Sequence, residues 1–263
     1  MARSSLSVRG RDEGAAFLFA LQFLTRIPIP AAVEFTAARE QAAVGYYAAV
    51  GAVVGILGGI VWYVSQLWVP DLLAILLSVA ATLLLTGAFH EDGLADTFDG
   101  IGGGGDAERV LQIMKDSRIG TYGSVALILV LSVKITTLHY LAEVLPGLIA
   151  LLIVAHSCSR ASSVMVVLTS RYVRTQGTAK PTASGISGSA LGVTLFTSFV
   201  IVIAGLLMLT PAALGGGLVG LAVGHGFSRL LYERKLGGYT GDCLGATQQL
   251  SEAFFYLGVL VCL

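Results

Sequence analysis

The sequence is poor in charged residues. Only 12% of its 263 residues are Asp, Glu, Lys or Arg, whereas a soluble domain typically carries about 25%. Hydrophobic residues make up 55% and the mean hydropathy is +0.82, which excludes an ordinary soluble domain and indicates an integral membrane protein. The formal net charge is zero, so no overall field would attract nucleic acid, and we expect no nucleic-acid partner.

Cysteine and processing signals are scarce as well. Cys158, Cys243 and Cys262 show no spacing typical of disulfides or metal ligands, and we expect buried or reduced thiols. A polar tail, residues 1–14, resembles the charged start of a secretory signal. However, the apolar stretch Ala15–Leu24 is followed by Arg-Ile-Pro instead of a small-residue cleavage site, so we predict no removable signal.

Long apolar runs dominate the rest of the chain. A bilayer-spanning helix needs about 20 mostly apolar residues, and about six runs reach that length. The weaker run Ser251–Leu263 is interpreted as a half-span or interfacial helix, and Phe17–Thr25 is too short to cross. We therefore predict one all-α integral membrane domain, residues 1–263, built as a polytopic bundle of about six to seven transmembrane helices. The six runs are Gln41–Trp68, Asp71–Phe89, Gly123–Leu145, Gly147–Thr169, Ala190–Thr210 and Ala212–Tyr232.

Basic residues alternate between the connections of these runs. Of the 16 lysines and arginines, three lie inside runs, namely Lys134, Arg160 and Arg229. All the others fall in the N-terminal region or in three long loops. The loops comprise residues 91–122, 170–189 and 233–241, and the intervening tight turns have no basic residue. Since cytoplasmic loops carry the excess of Lys and Arg, we predict a cytoplasmic N-terminus and three cytoplasmic loops.

The chemistry is predicted to lie in the acidic loop, residues 91–122. Asp92, Asp96 and Asp99 are spaced four and three apart, which places their carboxylates on one helical face. Repulsion among them favours a bound cation, and clustered oxygens suit Mg²⁺. Glu91 and His90 flank the cluster as further metal-site or acid–base candidates. The alternative is a solvated acidic loop, but Leu, Ala and Phe between the acids favour an amphipathic continuation of the preceding span.

Cationic side chains follow the acids. Lys115 and Arg118 are three residues apart, so on a helix they would share a face and could clamp a pyrophosphate opposite the metal. The repeated pattern His-x-x-Ser-Arg makes Arg160 and Arg229 phosphate-contact candidates, with a histidine one turn before each. The alternatives are positive-inside topology for the first pair and snorkelling for the second.

Two further ionisable residues are candidates. Lys134 lies deep in a predicted span, where a charge is costly and often functional. Asp242, in the glycine-rich loop before the last apolar segment, could join the metal site or cap the next helix.

Four segments resemble the cobalamin synthase family, the adenosylcobinamide-GDP ribazoletransferases. The resemblance runs from about residue 15 to the end. Glu91 and Phe98 stand where apolar or small residues are expected in the family, but the three aspartates match. The matching segments are Phe-Leu-Thr-Arg-Ile-Pro at 23–28, His-Glu-Asp-Gly-Leu-Ala-Asp-Thr-Phe-Asp-Gly at 90–100, Ile-Met-Lys-Asp-Ser-Arg-Ile-Gly-Thr-Tyr-Gly at 113–123 and Gly-Tyr-Thr-Gly-Asp-Cys-Leu-Gly-Ala at 238–246.

The resemblance implies a Mg²⁺-dependent enzyme of the bacterial inner membrane with a cytoplasmic active face. It implies transfer of GDP-activated adenosylcobinamide to α-ribazole, or its 5′-phosphate, with release of GMP. In that setting Asp92, Asp96 and Asp99 would hold the metal, and His90 or a free carboxylate would act as base. Membrane lipid and other late enzymes of cobalamin assembly are the expected partners besides the substrates.

Two other functions are consistent with parts of the pattern. CDP-alcohol phosphotransferases also cluster aspartates at the cytoplasmic face, but Asp96 stands where they have arginine, and the second half of their motif is missing. A transporter would explain charged residues within spans, but it requires a polar pathway across the bilayer. Here we expect the charges to lie toward one side, with bare turns on the other.

Overall fold

The computed structural model describes residues 2–30, 36–174 and 186–263, with side chains from residue 12 onward. Within these residues the fold is all-α, as predicted, and the one β-type contact is an isolated bridge between Tyr172 and Tyr239. The helices are α1 Ala2–Leu24, α2 Ala37–Ala43, a 3-10 turn Val44–Tyr46, α3 Tyr47–Ser65, α4 Asp71–Thr86, α5 Phe89–Gly103, α6 Ala107–Ile113, α7 Thr121–Val144, α8 Leu148–Thr169, α9 Gly188–Gly205, α10 Pro211–Leu236 and α11 Gly241–Val261.

Several of these helices can cross a membrane. In the described part of the chain, four helical segments are long and apolar enough to do so: Ala37–Ser65, α7, α8 and α9. A fifth arises if α4 and α5, bent by 87°, count as one broken span. Helices α10 and α11 are long enough, but polar residues such as Arg229 and Glu252 dilute their hydropathy. The polytopic membrane bundle is thus supported, while the count of six to seven spans stays a prediction.

Helices α8 and α11 form the centre of the bundle. α3 lies along α8, where Gly51 and Gly55 bring the two backbones into contact, and α10 lies along α11 in the same way. Small residues are the usual device for close helix packing in membranes. The outer helix α9 leaves rings such as Phe196 and Phe199 largely exposed, as expected for a surface that faces lipid.

The structure corrects the prediction at both ends of the chain. The segment Ser251–Leu263 does not form a helix of its own, because it continues the 21-residue helix α11 and buries Phe255 and Tyr256. The polar tail and the short apolar stretch near residue 20 form one helix, α1. The segment 25–30, which contains Pro28 and Pro30, is free of helix. Residues 175–185 of the predicted loop 170–189, with Lys180, lie outside the described residues.

Candidate active site

The acidic segment follows a sharp break at Gly87 and Ala88. Both adopt left-handed backbone conformations, with φ angles of 65° and 54°, which suits glycine but costs about 1 kcal/mol for alanine. Helix α5 therefore leaves α4 at 87°. The predicted amphipathic continuation of the preceding span is wrong, because these two residues redirect the chain. The predicted loop 91–122 is instead largely helical, since it contains most of α5, all of α6 and the start of α7.

Three aspartates lie on α5 at the spacing that the sequence predicted. Their surroundings differ: Asp92 is exposed, Asp96 is partly buried and Asp99 is buried. The negative charges of Asp242, Asp92 and Asp99 all act on Asp96. The carboxylate face is thus real, but its members occupy different environments.

Asp99 has a structural task. Its Oδ2 accepts a hydrogen bond of 2.7 Å from the Gly120 N–H, and its Oδ1 accepts one of 2.8 Å from the Gly123 N–H. A carboxylate at a helix N-terminus satisfies amides that lack partners and matches the helix dipole. Asp99 therefore ties α5 to the start of α7, and both of its oxygens are already engaged.

Asp242 joins the acidic face from α11. Gly93 allows this approach, because a Cβ built there would lie 2.8 Å from the Asp242 carbonyl oxygen. The Thr240 side chain caps α11, so capping is not the main task of Asp242. The Asp242 carboxylate pairs instead with Arg174 at 2.8 Å. Burial and the charge of Asp92 raise the pKa of Asp242, while Arg174 opposes the shift.

The donor set suits a metal that arrives with substrate. No group of three or more His, Cys, Asp or Glu side chains within the described ranges could by itself hold a metal ion. Mg²⁺ commonly uses one or two carboxylates together with substrate phosphates and water. Asp92 and Asp96, whose repulsion is incompletely offset, fit that requirement, whereas Asp99 and Glu91 are engaged elsewhere. Magnesium binding stays a prediction.

The predicted clamp of Lys115 and Arg118 does not form on a helix. α6 ends at Ile113, and the next residues form turns and bends, so the assumption of a shared helical face is wrong. Arg118 turns back onto Asp116 at 2.6 Å and is 87% exposed. Its guanidinium lowers the pKa of the Asp116 carboxyl to about 2. Lys115 is also exposed.

The two His-x-x-Ser-Arg patterns have different surroundings. Arg160 is only 3% exposed, so it does not snorkel, and its Nη1 donates to the His156 carbonyl oxygen at 2.9 Å. Arg229 instead pairs with Glu233 at 2.9 Å and donates to Thr169. The nearby His225 contacts a serine of α8 at 2.8 Å. Only Arg160 is placed near the acidic face.

A buried polar network lies beneath α5, and its centre is Glu252 of α11. Lys134 approaches one Glu252 oxygen at 2.6 Å, and the His156 ring approaches the other at 3.2 Å. Gln249 links the network to α5, because it donates to the Glu91 carboxylate at 2.7 Å. The sequence prediction missed Glu252, although an acid inside an apolar run is a signal of a buried partner.

Two pockets flank α5. The smaller has about 720 Å³ of empty space, including the solvent at its mouth, and is lined by His90, Arg160 and Asp242 together with apolar side chains. The larger has about 1200 Å³ of empty space, including the solvent at its mouth, and its lining includes Asp96 and Arg26. Both are bordered by Phe23, Phe89 and Asp92. Asp92 therefore lies where the two pockets meet. Arg26 is a further functional candidate that the sequence prediction did not single out.

The opposite end of the bundle is not free of charge. His139 Nδ1 lies 3.0 Å from one oxygen of Asp71, and the Trp62 indole donates to the other at 3.0 Å. The expectation that all charge lies toward one side is wrong in this respect. These contacts join the ends of α3, α4 and α7.

Comparison with known proteins gives a consistent match. The family described as cobalamin-5-phosphate synthase matches residues 16–260. A relative from Vibrio parahaemolyticus, named adenosylcobinamide-GDP ribazoletransferase, is 42% identical over 260 residues, which is 98% of this chain and 96% of that protein. A relative of the same name from Shewanella putrefaciens is 43% identical, with 93% of each chain covered. No solved structure matches. With nearly its whole length matched in both comparisons, the chain belongs to the cobalamin-5-phosphate synthase family.

Proposed function

We propose that the protein transfers the GDP-activated adenosylcobinamide phosphoryl group to α-ribazole, or to its 5′-phosphate, and releases GMP. Family membership and the activity named for the relatives support this reaction. The observation that carries it in the structure is the position of Asp92. Its carboxylate borders both pockets and lies beside Asp96 and Asp242, where a nucleophile and a phosphoryl group can meet next to a bound cation.

The reaction forms one bond and breaks one. The acceptor hydroxyl oxygen bonds to the phosphorus next to the corrinoid, and the bond from that phosphorus to the bridging oxygen of GMP breaks. Such transfers depend mainly on positioning and on neutralisation of charge. His90 lines the smaller pocket together with Asp92, and it is our candidate base for the acceptor proton.

Asp92 and Asp96, with Asp242 across from them, would hold Mg²⁺. When bound, the ion would neutralise developing charge on the phosphoryl oxygens. Arg174 supports this arrangement because it holds the Asp242 carboxylate at 2.8 Å. Of the cations predicted to bind phosphate, Arg160 is placed at a pocket. Arg229 is committed to Glu233, so we assign it no substrate contact.

The cytoplasmic face of the bacterial inner membrane is the proposed location of the site. Several apolar helices support a multi-pass membrane protein. The described parts of the predicted basic loops lie at the same end of the bundle as α5, with Arg174 at Asp242 and Lys235 at Gly104, which supports a cytoplasmic site through the positive-inside rule. Nucleotide-linked substrates are available on that side.

The test is GMP release from adenosylcobinamide-GDP by purified protein in liposomes, with and without α-ribazole and Mg²⁺. We expect GMP release to require the protein, α-ribazole and Mg²⁺ together. We expect Asp96→Asn to reduce it about 100-fold, because the loss of even an outer-shell partner of a metal commonly costs about 10- to 100-fold. Glu108→Gln is the matched control, since this acid is exposed in the first turn of α6, and it should retain activity.

Other outcomes identify other functions. Turnover of a CDP-linked alcohol in place of the GDP-linked corrinoid would favour a CDP-alcohol phosphotransferase. Solute flux that is lost in Asp96→Asn, from protein that never releases GMP, would favour a transporter and contradict the enzyme.

A further inference from the structure

The smaller pocket has an aromatic wall. The rings of Phe23 and Tyr47 are stacked, with centroids 5.9 Å apart and planes 14° apart, and Phe89 meets Phe23 edge-on at 5.3 Å. Phe23 and Phe89 keep 39% and 41% of their surface exposed, although they lie beside carboxylates. Exposed rings at a polar site are typical of surfaces that bind flat aromatic ligands.

The same pocket contains an incompletely satisfied cation. Arg160 is 97% buried, and its Nε–H has no hydrogen-bond partner in the described part of the protein. A buried donor without a partner is costly unless a ligand or water satisfies it. Arg160 lines the pocket together with side chains such as Leu24, Val164 and Leu244, so the pocket combines one buried cation with apolar walls.

The larger pocket has a more polar lining than the smaller one. It includes Arg26, whose guanidinium packs against Gly87, and it reaches Ser117 and Ile119 in the segment that also carries Lys115 and Arg118. A diphosphate is better accommodated near such cations than in a mainly apolar pocket. Its greater volume also suits the bulkier substrate.

On the proposed function, we infer that the smaller pocket binds the acceptor nucleoside and the larger pocket receives the donor diphosphate. The flat base of the acceptor lies against Tyr47 and Phe23, and the guanidinium of Arg160 donates to an oxygen of its ribosyl part. The acceptor hydroxyl then faces the donor phosphorus beside Asp92, whose carboxylate borders both pockets.

A pair of variants with opposite expectations tests this assignment. Tyr47 lines only the smaller pocket and Arg26 only the larger one. Tyr47→Leu should raise the KM for α-ribazole roughly 10-fold, as loss of base stacking typically does, and should change the KM for adenosylcobinamide-GDP less than twofold. Tyr47→Phe keeps the ring and should restore the acceptor KM. Arg26→Gln should raise the donor KM and leave the acceptor KM unchanged.

Two further measurements do not depend on turnover. Equilibrium dialysis of α-ribazole, without donor, should show weaker binding to Tyr47→Leu than to Tyr47→Phe. An azidobenzimidazole riboside, photolysed with the unaltered protein, should label the peptide that contains Tyr47, which lines only the smaller pocket. This second measurement serves even if Tyr47→Leu does not fold.

The outcomes separate the inference from the function on which it rests. If the unaltered protein releases no GMP, the proposed function fails. If it turns over normally but Tyr47→Leu raises the donor KM alone, raises both KM values equally or raises neither, the pocket assignment is overturned. Photolabelling of residues 117–119 in place of Tyr47 would overturn it as well.

Discussion

Asp92 and Asp99 illustrate how one motif supplies two kinds of carboxylate. Asp99 is buried and accepts two backbone hydrogen bonds at the start of α7. Asp92 is exposed and borders both pockets. In the sequence, the spacing of Asp92 and Asp99 makes them look equivalent. In the structure, their burial and their hydrogen-bond partners differ. Function is therefore expected to divide between them, with cation binding at Asp92 and helix positioning at Asp99.

Asp99→Ala should lower the free energy of unfolding by about 2 kcal/mol, the upper range for loss of a helix cap, because two amides at the start of α7, one of them buried, lose their acceptor. Asp92→Ala should leave stability within about 0.5 kcal/mol, since exposed positions tolerate such changes, and should still abolish most GMP release. Thermal unfolding in detergent, followed by circular dichroism, measures the first effect. Equal destabilisation by the two changes would contradict this division of roles.

Helix α5 owes its direction to the residues before it. Gly87 has a φ of 65°, and a Cβ at this position would overlap the guanidinium of Arg26. A side chain here is unfavourable both for the backbone conformation and for space. The short break therefore sets where the carboxylate face points and where Arg26 lies.

Gly87→Ala should cost about 1–2 kcal/mol of stability because of its left-handed backbone, and should raise the donor KM because Arg26 must move. Gly105→Ala is the matched control, since its φ lies outside the left-handed range and no neighbour lies within 4 Å of an added Cβ. Kinetics and unfolding of both variants provide the measurement. A Gly87→Ala protein with unchanged stability and donor KM would show that the break tolerates a side chain.

At the element scale, the sequence predicted helices well where apolar runs are long. It also predicted the shared face of Asp92, Asp96 and Asp99, because that spacing is local. It failed at residues 115–118, where a helix was assumed and the chain turns. It also failed at Glu252 and Gln249, whose partners lie on α5, α7 and α8. Contacts between distant segments leave no periodic signal, so the buried network and the two pockets could not be predicted.

At the scale of the whole molecule, orientation in the bilayer is the prediction with the widest consequence. In a background that replaces the exposed Cys262, Gly105→Cys should react with a membrane-impermeant maleimide only from the cytoplasmic side. Pro146→Cys, in the exposed turn between α7 and α8, should react only from the other side. The positive-inside distribution of Lys and Arg is the reason. The reverse labelling pattern would invert the topology and contradict a cytoplasmic active site.

The network around Glu252 holds the bundle together beneath the site. Lys134 of α7 and His156 of α8 both contact this one carboxylate, and Gln248 of its own helix donates to it at 2.6 Å. Removal of one partner from a buried pair commonly costs about 3–5 kcal/mol, because the remaining charge is left uncompensated. Replacement of both charged partners should therefore lower the free energy of unfolding by less than the sum of the two single losses.

Glu252→Gln leaves Lys134 buried without its counter-charge and should destabilise the protein by about 3 kcal/mol or more. Lys134→Met should cost less, because Glu252 keeps His156, Gln248 and the Tyr256 hydroxyl as partners. The double variant should then be about 1–3 kcal/mol more stable than the sum of the single losses predicts. Reversible unfolding of the four proteins in mixed micelles measures this coupling. Additive losses would mean that Lys134 is held by Gln249, at 3.2 Å, and that its charge does not depend on Glu252.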